Sequence, residues 1–308
     1  MTKEEAQEYI DNYISHAILM TEYGNYISKQ IKDFVDKAKN ECEEILKKYT
    51  CATTKRVCKK CLSEIDLILK GLEETVSQFI KTEINKLTEE EQIWLEENVA
   101  EKLGTSFNYP EKSKSMLFLI PIATIGIVGS YGNTIADKLH NLYEQEIMSS
   151  YISGFDFDEV EDDYESKFNT FERGLQADSE TLGSSLAGQY DRLIYTANAK
   201  KITGYVWSAI LDTSTCLYCG SLDGKKFTDI SKVPIYPAHR NCRCNLLVYN
   251  DETEALIPES YSKWFERQSE TDKKSILGKK RFELYESGMK IKNFVNNGKV
   301  TPLKDLKK

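Results

Sequence analysis

Four of the chain's eight cysteines and one of its three histidines are crowded into residues 216 to 244. They are ordered as Cys216-x2-Cys219, a gap, then His239-x2-Cys242-x-Cys244. Two donor pairs with two residues between their members suit a tetrahedral ion. Each short bend points both donors at one spot, and the chain between them brings the bends together. Thiolates with an imidazole form a soft set that suits zinc, and a filled four-coordinate sphere leaves no position for water. Five donors compete for four places. Equal spacing favours Cys216, Cys219, His239 and Cys242, with Cys244 a buried thiol leading into the apolar stretch LLVY. Sets in which Cys244 replaces Cys242, or in which four cysteines bind without His239, stay open.

A module of about 45 residues is near the size at which a core alone stops sufficing. A structural zinc supplies about 10–16 kcal/mol, more than the whole stability of many domains. The ion is therefore expected to fold the module rather than to perform chemistry. Residue supply agrees. Zinc deaminases need a His-x-Glu, whereas Arg240 and Asn241 follow His239; the His-Glu-x-x-His of zinc proteases is missing as well. A nuclease needs a histidine base beyond the ligands, and the remaining pair, His16 and His140, lie in helical stretches far away in sequence. The chain reads as a non-enzyme.

A second group, Cys42, Cys51, Cys58 and Cys61, is a weaker candidate metal site. On one helix Cys51, Cys58 and Cys61 would share a face, and Cys42 would approach through a turn. Unequal spacing and the lack of a hairpin favour core thiols instead. The first residues, MTKEEAQEYI, lack the basic start and apolar stretch of a secretory signal. That predicts a reducing cytosol, where clustered cysteines hold metals rather than disulfides.

The fold class expected is mainly α. Four regions are predicted: a helical one over 1–115, a helical one with an apolar segment over 116–202, a small β-containing zinc module over 203–250, and a basic helical tail over 251–308. Leu69, Leu72, Val76, Phe79, Ile80, Ile84 and Leu87 recur at helical spacing. Thr2 with Glu5, and Thr88 with Glu91, have the capping-box spacing of helix starts. The second of these helices should stop near Lys102 and Gly104. Val160, Tyr164, Phe168, Phe171 and Leu175 mark a further amphipathic helix. The apolar run at residues 116–128, MLFLIPIATIGIV, is shorter than the roughly 20 residues that span a bilayer. Pro121 and Gly126 interrupt it, so it reads as a buried core segment and membrane contact is not expected. From Thr203 the texture turns to Tyr, Val, Trp and Thr, with an Asp223-Gly224 turn signal.

The net charge of −8 conceals a division. Residues 272–308 hold 11 Lys/Arg against 4 Asp/Glu, so the body is acidic and the tail basic. Lys273, Lys274, Lys279, Lys280 and Arg281 are candidate contacts to nucleic acid or an acidic protein surface. The competing reading is a solvated helix face.

The flanks of the cluster carry a resemblance. Trp207, Asp212, Thr215-Cys216-x2-Cys219, LDGKKF, Pro237 and HRNCRC, followed by SKWFERQ, ILGKKRFELYESG and FVNNGKVTPLKDL, resemble the phage minor head proteins of the Mu F-like head morphogenesis family. The likeness covers about residues 150–308. It implies a structural virion protein, made in the host cytoplasm and placed inside the capsid near the portal. Its partners would be the portal protein, the major capsid protein or both, together with packaged double-stranded DNA, and it would take no small-molecule substrate. The resemblance also implies that residues 276–281 belong to a folded segment rather than a free arm. Trp264, Phe265, Leu277, Phe282 and Tyr285 would then pack against the acidic body. The alternative from another class is a zinc-containing nucleic-acid-binding protein that uses the basic tail.

Overall fold

The computed structural model describes residues 3–49, 54–122, 126–154, 156, 161–251, 253, 261–296 and 299–306. It is mainly helical, with a few small sheets. Two long helices come first, α1 (Lys3–Tyr49) and α2 (Lys55–Leu95). A short α3 (Lys112–Leu117) precedes the two-residue strands β1 (Pro121–Ile122) and β2 (Gly126–Ile127). Then come α4 (Tyr131–Ser153) and α5 (Glu161–Ala197). A three-stranded antiparallel sheet, ordered β4-β3-β5, is built from β3 (Gly204–Ser208), β4 (Lys226–Phe227) and β5 (Asn245–Tyr249), with α6 (Leu217–Leu222) between β3 and β4. The chain continues through α7 (Tyr261–Glu266), α8 (Glu270–Leu277), α9 (Lys279–Glu286) and the hairpin β6 (Val295–Asn296) and β7 (Lys299–Val300).

The chain forms two compact units, neither of which is one continuous stretch. One gathers residues 1–20, 91–110 and 188–308, the other 21–90 and 111–187. The sequence reading places its boundaries consecutively, at 115, 202 and 250. The structure divides differently because α1, α2 and α5 are each long enough to give residues to both units.

The unit of residues 21–90 and 111–187 is a helical bundle whose stripes interlock. Ile27, Ile31 and Val35 of α1 are fully buried, as are Ile65, Val76 and Ile84 of α2, with Leu139 and Tyr143 of α4 and Leu182 of α5. Of the expected α2 stripe, all members are buried except Phe79, which is half-buried. Two glycines mark where backbones touch. A Cβ on Gly24 would lie 1.9 Å from the Glu180 carbonyl oxygen, and one on Gly132 would lie 2.6 Å from the Glu73 carbonyl. No larger residue fits these crossings without moving a helix.

Two local expectations change here. Helix α2 runs through Thr88 without a break, because Thr88 Oγ1 donates to the Asn85 carbonyl at 3.0 Å instead of capping a new helix. Thr2 of the other capping box lies outside the described residues, as does Val160. The apolar run is not a wholly buried segment. Leu117, Ile122 and Val128 are buried, but Met116, Leu119 and Ile127 are exposed along the α3–β1–β2 turn, and residues 123–125 lie outside the described set. Among the described residues no helix is long and apolar enough to cross a membrane.

In the other unit the end of α2 tightens into a π turn, Glu96–Ala100, and the chain leaves near Gly104 at φ 65°, as a helix-terminating glycine should. Its core holds a polar cluster. His16 Nε2 meets Glu91 Oε2 at 3.0 Å and the imidazole stacks on Trp94 at 3.9 Å. The Asp191 carboxyl adjoins Glu91, and Tyr9, Tyr13 and Tyr195 link hydroxyls beside it. Burial first, then the Glu91 charge, pushes the Asp191 carboxyl well above the usual carboxylate range. Burial holds the His16 imidazole down to about 4.

Gly24→Ala should destabilise the chain by about 1–3 kcal/mol through overpacking, read as a lower urea midpoint. A carboxyl raised in the fold supports stability fully below its unfolded pKa and loses that support as pH rises through the folded value. Asp191→Asn, which imitates the protonated acid, should therefore raise the melting midpoint at pH 7.5, by about 2–4 °C for each kcal/mol relieved. At pH 3.5 it should leave the midpoint unchanged.

Candidate metal centre

The sheet holds the cluster in place. Strand β3 pairs with β5 from Gly204 against Tyr249 to Ser208 against Asn245, and with β4 through Tyr205 and Val206. All five β3 residues are buried. The Asp223-Gly224 pair forms a turn as expected, but it joins α6 to β4 rather than two consecutive strands. Gly224, at φ 72°, donates to the Trp207 carbonyl at 2.9 Å.

The first bend is a helix start. Cys216 caps α6, its sulfur accepting the Cys219 N–H at 3.4 Å, so both thiols sit on the same turn. Asp212 steadies the approach. It accepts the Ser214 N–H at 2.9 Å and holds Arg243 of the second bend in a two-toothed ion pair, both contacts at 2.7 Å. The second bend turns at Asn241, the non-glycine residue with positive φ (57°), a conformation that asparagine tolerates better than most residues. That turn lets Cys242 N–H donate to the His239 carbonyl at 3.2 Å. From α5, Arg192 donates to the carbonyls of Ile230, Val233 and Pro234, and Gln189 donates to that of Tyr236, fixing the chain between the bends.

The five donors converge. His239 Nε2 lies 3.1 Å from both Cys216 Sγ and Cys219 Sγ, and Cys219 Sγ lies 3.7 Å from Cys242 Sγ. Two sets have all their ligand atoms within 4.8 Å of one another: Cys216, Cys219 and His239, and Cys219, Cys242 and Cys244. Cys219 belongs to both. It is buried with Cys242 and Cys244, whereas Cys216 and His239 form the partly exposed edge. The cluster could hold a metal ion.

Surrounding groups fit that use. His239 Nδ1 donates to the Arg240 carbonyl at 2.7 Å, which orients the ring so that Nε2 faces the sulfurs. The buried Trp207 indole N–H makes no geometric hydrogen bond, but it lies near Cys244. It acts on the Cys244 sulfur and favours its charged form. The thiols polarise one another. Hydrogen bonding from Cys219 holds Cys216 down to about 4 and Cys242 down to about 2. Contacts with Cys216, then Cys242 and Cys244, push Cys219 up. Cys244 also goes up: its bond to Cys219 pulls downward, but Cys242 and burial outweigh it. The Cys216 bond raises His239 to about 9 against the effect of burial.

The structure places the other candidates elsewhere. Cys42, Cys58 and Cys61 are buried, but their thiols do not converge as a ligand set among the described residues, and Cys51 lies outside these. Burial raises Cys42 and Cys61 to about 12, as befits thiols in an apolar core. His16 is committed to Glu91, and His140 Nδ1 meets Asp66 Oδ1 at 2.7 Å. Of the basic residues, Lys273 is half-buried and donates to the Glu266 carbonyl at 2.7 Å, and Arg281 is half-buried and donates to that of Thr301 at 3.1 Å. Lys274, Lys279 and Lys280 are exposed. The sequence reading passed over the Asp212–Arg243 pair and the Trp207–Cys244 contact. Asp212 and Trp207 stand in the flanking motif, but nothing in their spacing says which sulfur or guanidinium they meet.

No protein-family model, curated protein or solved structure matches the chain.

Because Cys219 is common to both sets, Cys219→Ser should abolish stoichiometric metal binding. Cys216→Ser and Cys244→Ser each leave one of the two sets whole and should retain an ion at reduced affinity. Elemental analysis after dialysis against a mild chelator separates these outcomes. Retention of a full equivalent by Cys219→Ser would contradict the geometry.

Proposed function

We propose that the chain is a zinc-stabilised structural protein of a tailed-phage head, located inside the capsid near the portal and aiding head assembly, DNA packaging or ejection. The observation that carries the structural half is the convergence of five soft donors between two bends that no helix or strand joins directly. A tetrahedral zinc with bonds of about 2.3 Å to sulfur sets its sulfurs about 3.8 Å apart, and Cys219 and Cys242 stand at 3.7 Å. Four thiolate and imidazole ligands would close the sphere. In that state the ion stabilises the fold and offers no site for an activated water.

The assignment to a phage head rests on the sequence resemblance of residues 150–308. The arrangement supports it in one respect. Of the residues that carry the resemblance, Cys216, Cys219, His239, Cys242 and Cys244 converge, and Asp212 holds Arg243 between Cys242 and Cys244. The nucleic-acid alternative draws on fewer groups than the sequence suggests, since Lys273 and Arg281 are spent on backbone carbonyls. We therefore retain packaged DNA as a neighbour and not as the principal ligand.

Mass spectrometry of purified procapsids and mature heads of the encoding phage should detect the chain in few copies relative to the major capsid protein. Its absence from both particles would end the proposal.

A further inference from the structure

Helix α6 is gripped on two faces. Cys216 and Cys219 face the donor cluster, while Leu217 and Gly220 face the C-terminal segment, residues 261–296 and 299–306. Leu217 is a member of the core made by Tyr261, Phe265, Leu277, Phe282, Ile291 and Phe294. A Cβ on Gly220 would lie 2.5 Å from the Tyr261 ring, so the ring rests on the helix backbone. The expected packing of Trp264, Phe265, Leu277, Phe282 and Tyr285 on the acidic body falls on α6. These residues pack with one another and on Leu217 of the metal module.

Both ends of α6 are also tied to the same segment. The Tyr261 N–H donates to Asp223 Oδ2 at 3.0 Å just after the helix, and the Tyr261 hydroxyl donates to the Thr215 carbonyl at 3.4 Å just before it. Asp223 Oδ1 meanwhile accepts the Ala209 N–H at 2.8 Å, which connects the seam to the end of β3. A helix of six residues is far below the roughly 12–15 that an isolated helix needs in water. Its shape therefore depends on what holds it from outside.

We propose that the metal centre is a clasp: the ion bound by the 216–244 cluster fixes α6, and α6 so fixed is the platform on which the C-terminal segment docks. This rests on the metal reading above. Removing the ion frees Cys216 and Cys219, α6 loses one of its two supports, and the segment is released with its aromatic face uncovered. Coupling of this kind is reciprocal, so docking must tighten the ion by the factor with which the ion tightens docking.

The experiment uses the full chain with its thiols kept reduced. Zinc is removed with a chelator, its loss is verified by elemental analysis, and hydrogen exchange is followed by mass spectrometry. The expected result is loss of protection in α7, α8 and α9 while the bundle portions of α1 and α2 keep theirs. Tyr261→Ala, which touches no donor, should weaken zinc binding about tenfold in competition with a chromophoric chelator. Unchanged exchange in α7–α9 after verified metal loss, or unchanged zinc affinity in Tyr261→Ala, overturns the clasp and leaves the metal reading standing. A chain that holds no zinc as purified and takes up none on titration overturns both.

Discussion

Four thiols and an imidazole packed against one another, three of the thiols buried, have no comfortable charge state of their own. Full ionisation sets like charges within 4 Å of one another in a poorly solvated place. Contacts within the cluster pull Cys216 and Cys242 down and push Cys219 and Cys244 up. A divalent cation removes the conflict at once, since every donor then points at positive charge. The backbone is arranged for that outcome: the N-cap geometry at Cys216, the left-handed Asn241 and the His239–Arg240 contact each aim a donor inward.

The rest of the module follows from holding that point. The Asp212–Arg243 pair spans the two bends beside the cluster, where a half-exposed ion pair contributes little alone but fixes the register of the ligands it flanks. Trp207 lies on β3, the central strand, and so brings its N–H to the sulfur that opens β5. Arg192 and Gln189 reach from α5 to four carbonyls of the stretch between the bends, which has little regular structure. Long helix and small sheet thus share one polar framework within a single unit.

How much of this could be read beforehand depended on whether the signal was local. The donor cluster was legible because its spacing is a local property, and the α2 stripe was legible because helical period survives any tertiary context. Thr88 and Glu91 misled for a corresponding reason. A capping box is a local pattern, but Glu91 is claimed by His16, 75 positions away, and the helix continues because tertiary packing outweighs the cap. The apolar run misled because composition cannot say which side of a short hairpin faces inward. Lys273 and Arg281 looked like the exposed lysines around them, since nothing in a run of basic residues shows which will find carbonyls.

The two compact units are discontinuous in sequence for a physical reason that also bears on how the chain works. A helix of 47 residues has no internal point at which its backbone hydrogen bonds stop, so it can serve two cores whose residues lie far apart in sequence. Helix α6 is the opposite case, too short to persist by itself and therefore able to report what is bound to it. A device that responds to an ion belongs in an element of the second kind. Here the responsive element stands between the donors that would hold the ion and the aromatic core of the C-terminal segment. In that position a cation held by the cluster would act through α6 on the core that begins at Tyr261.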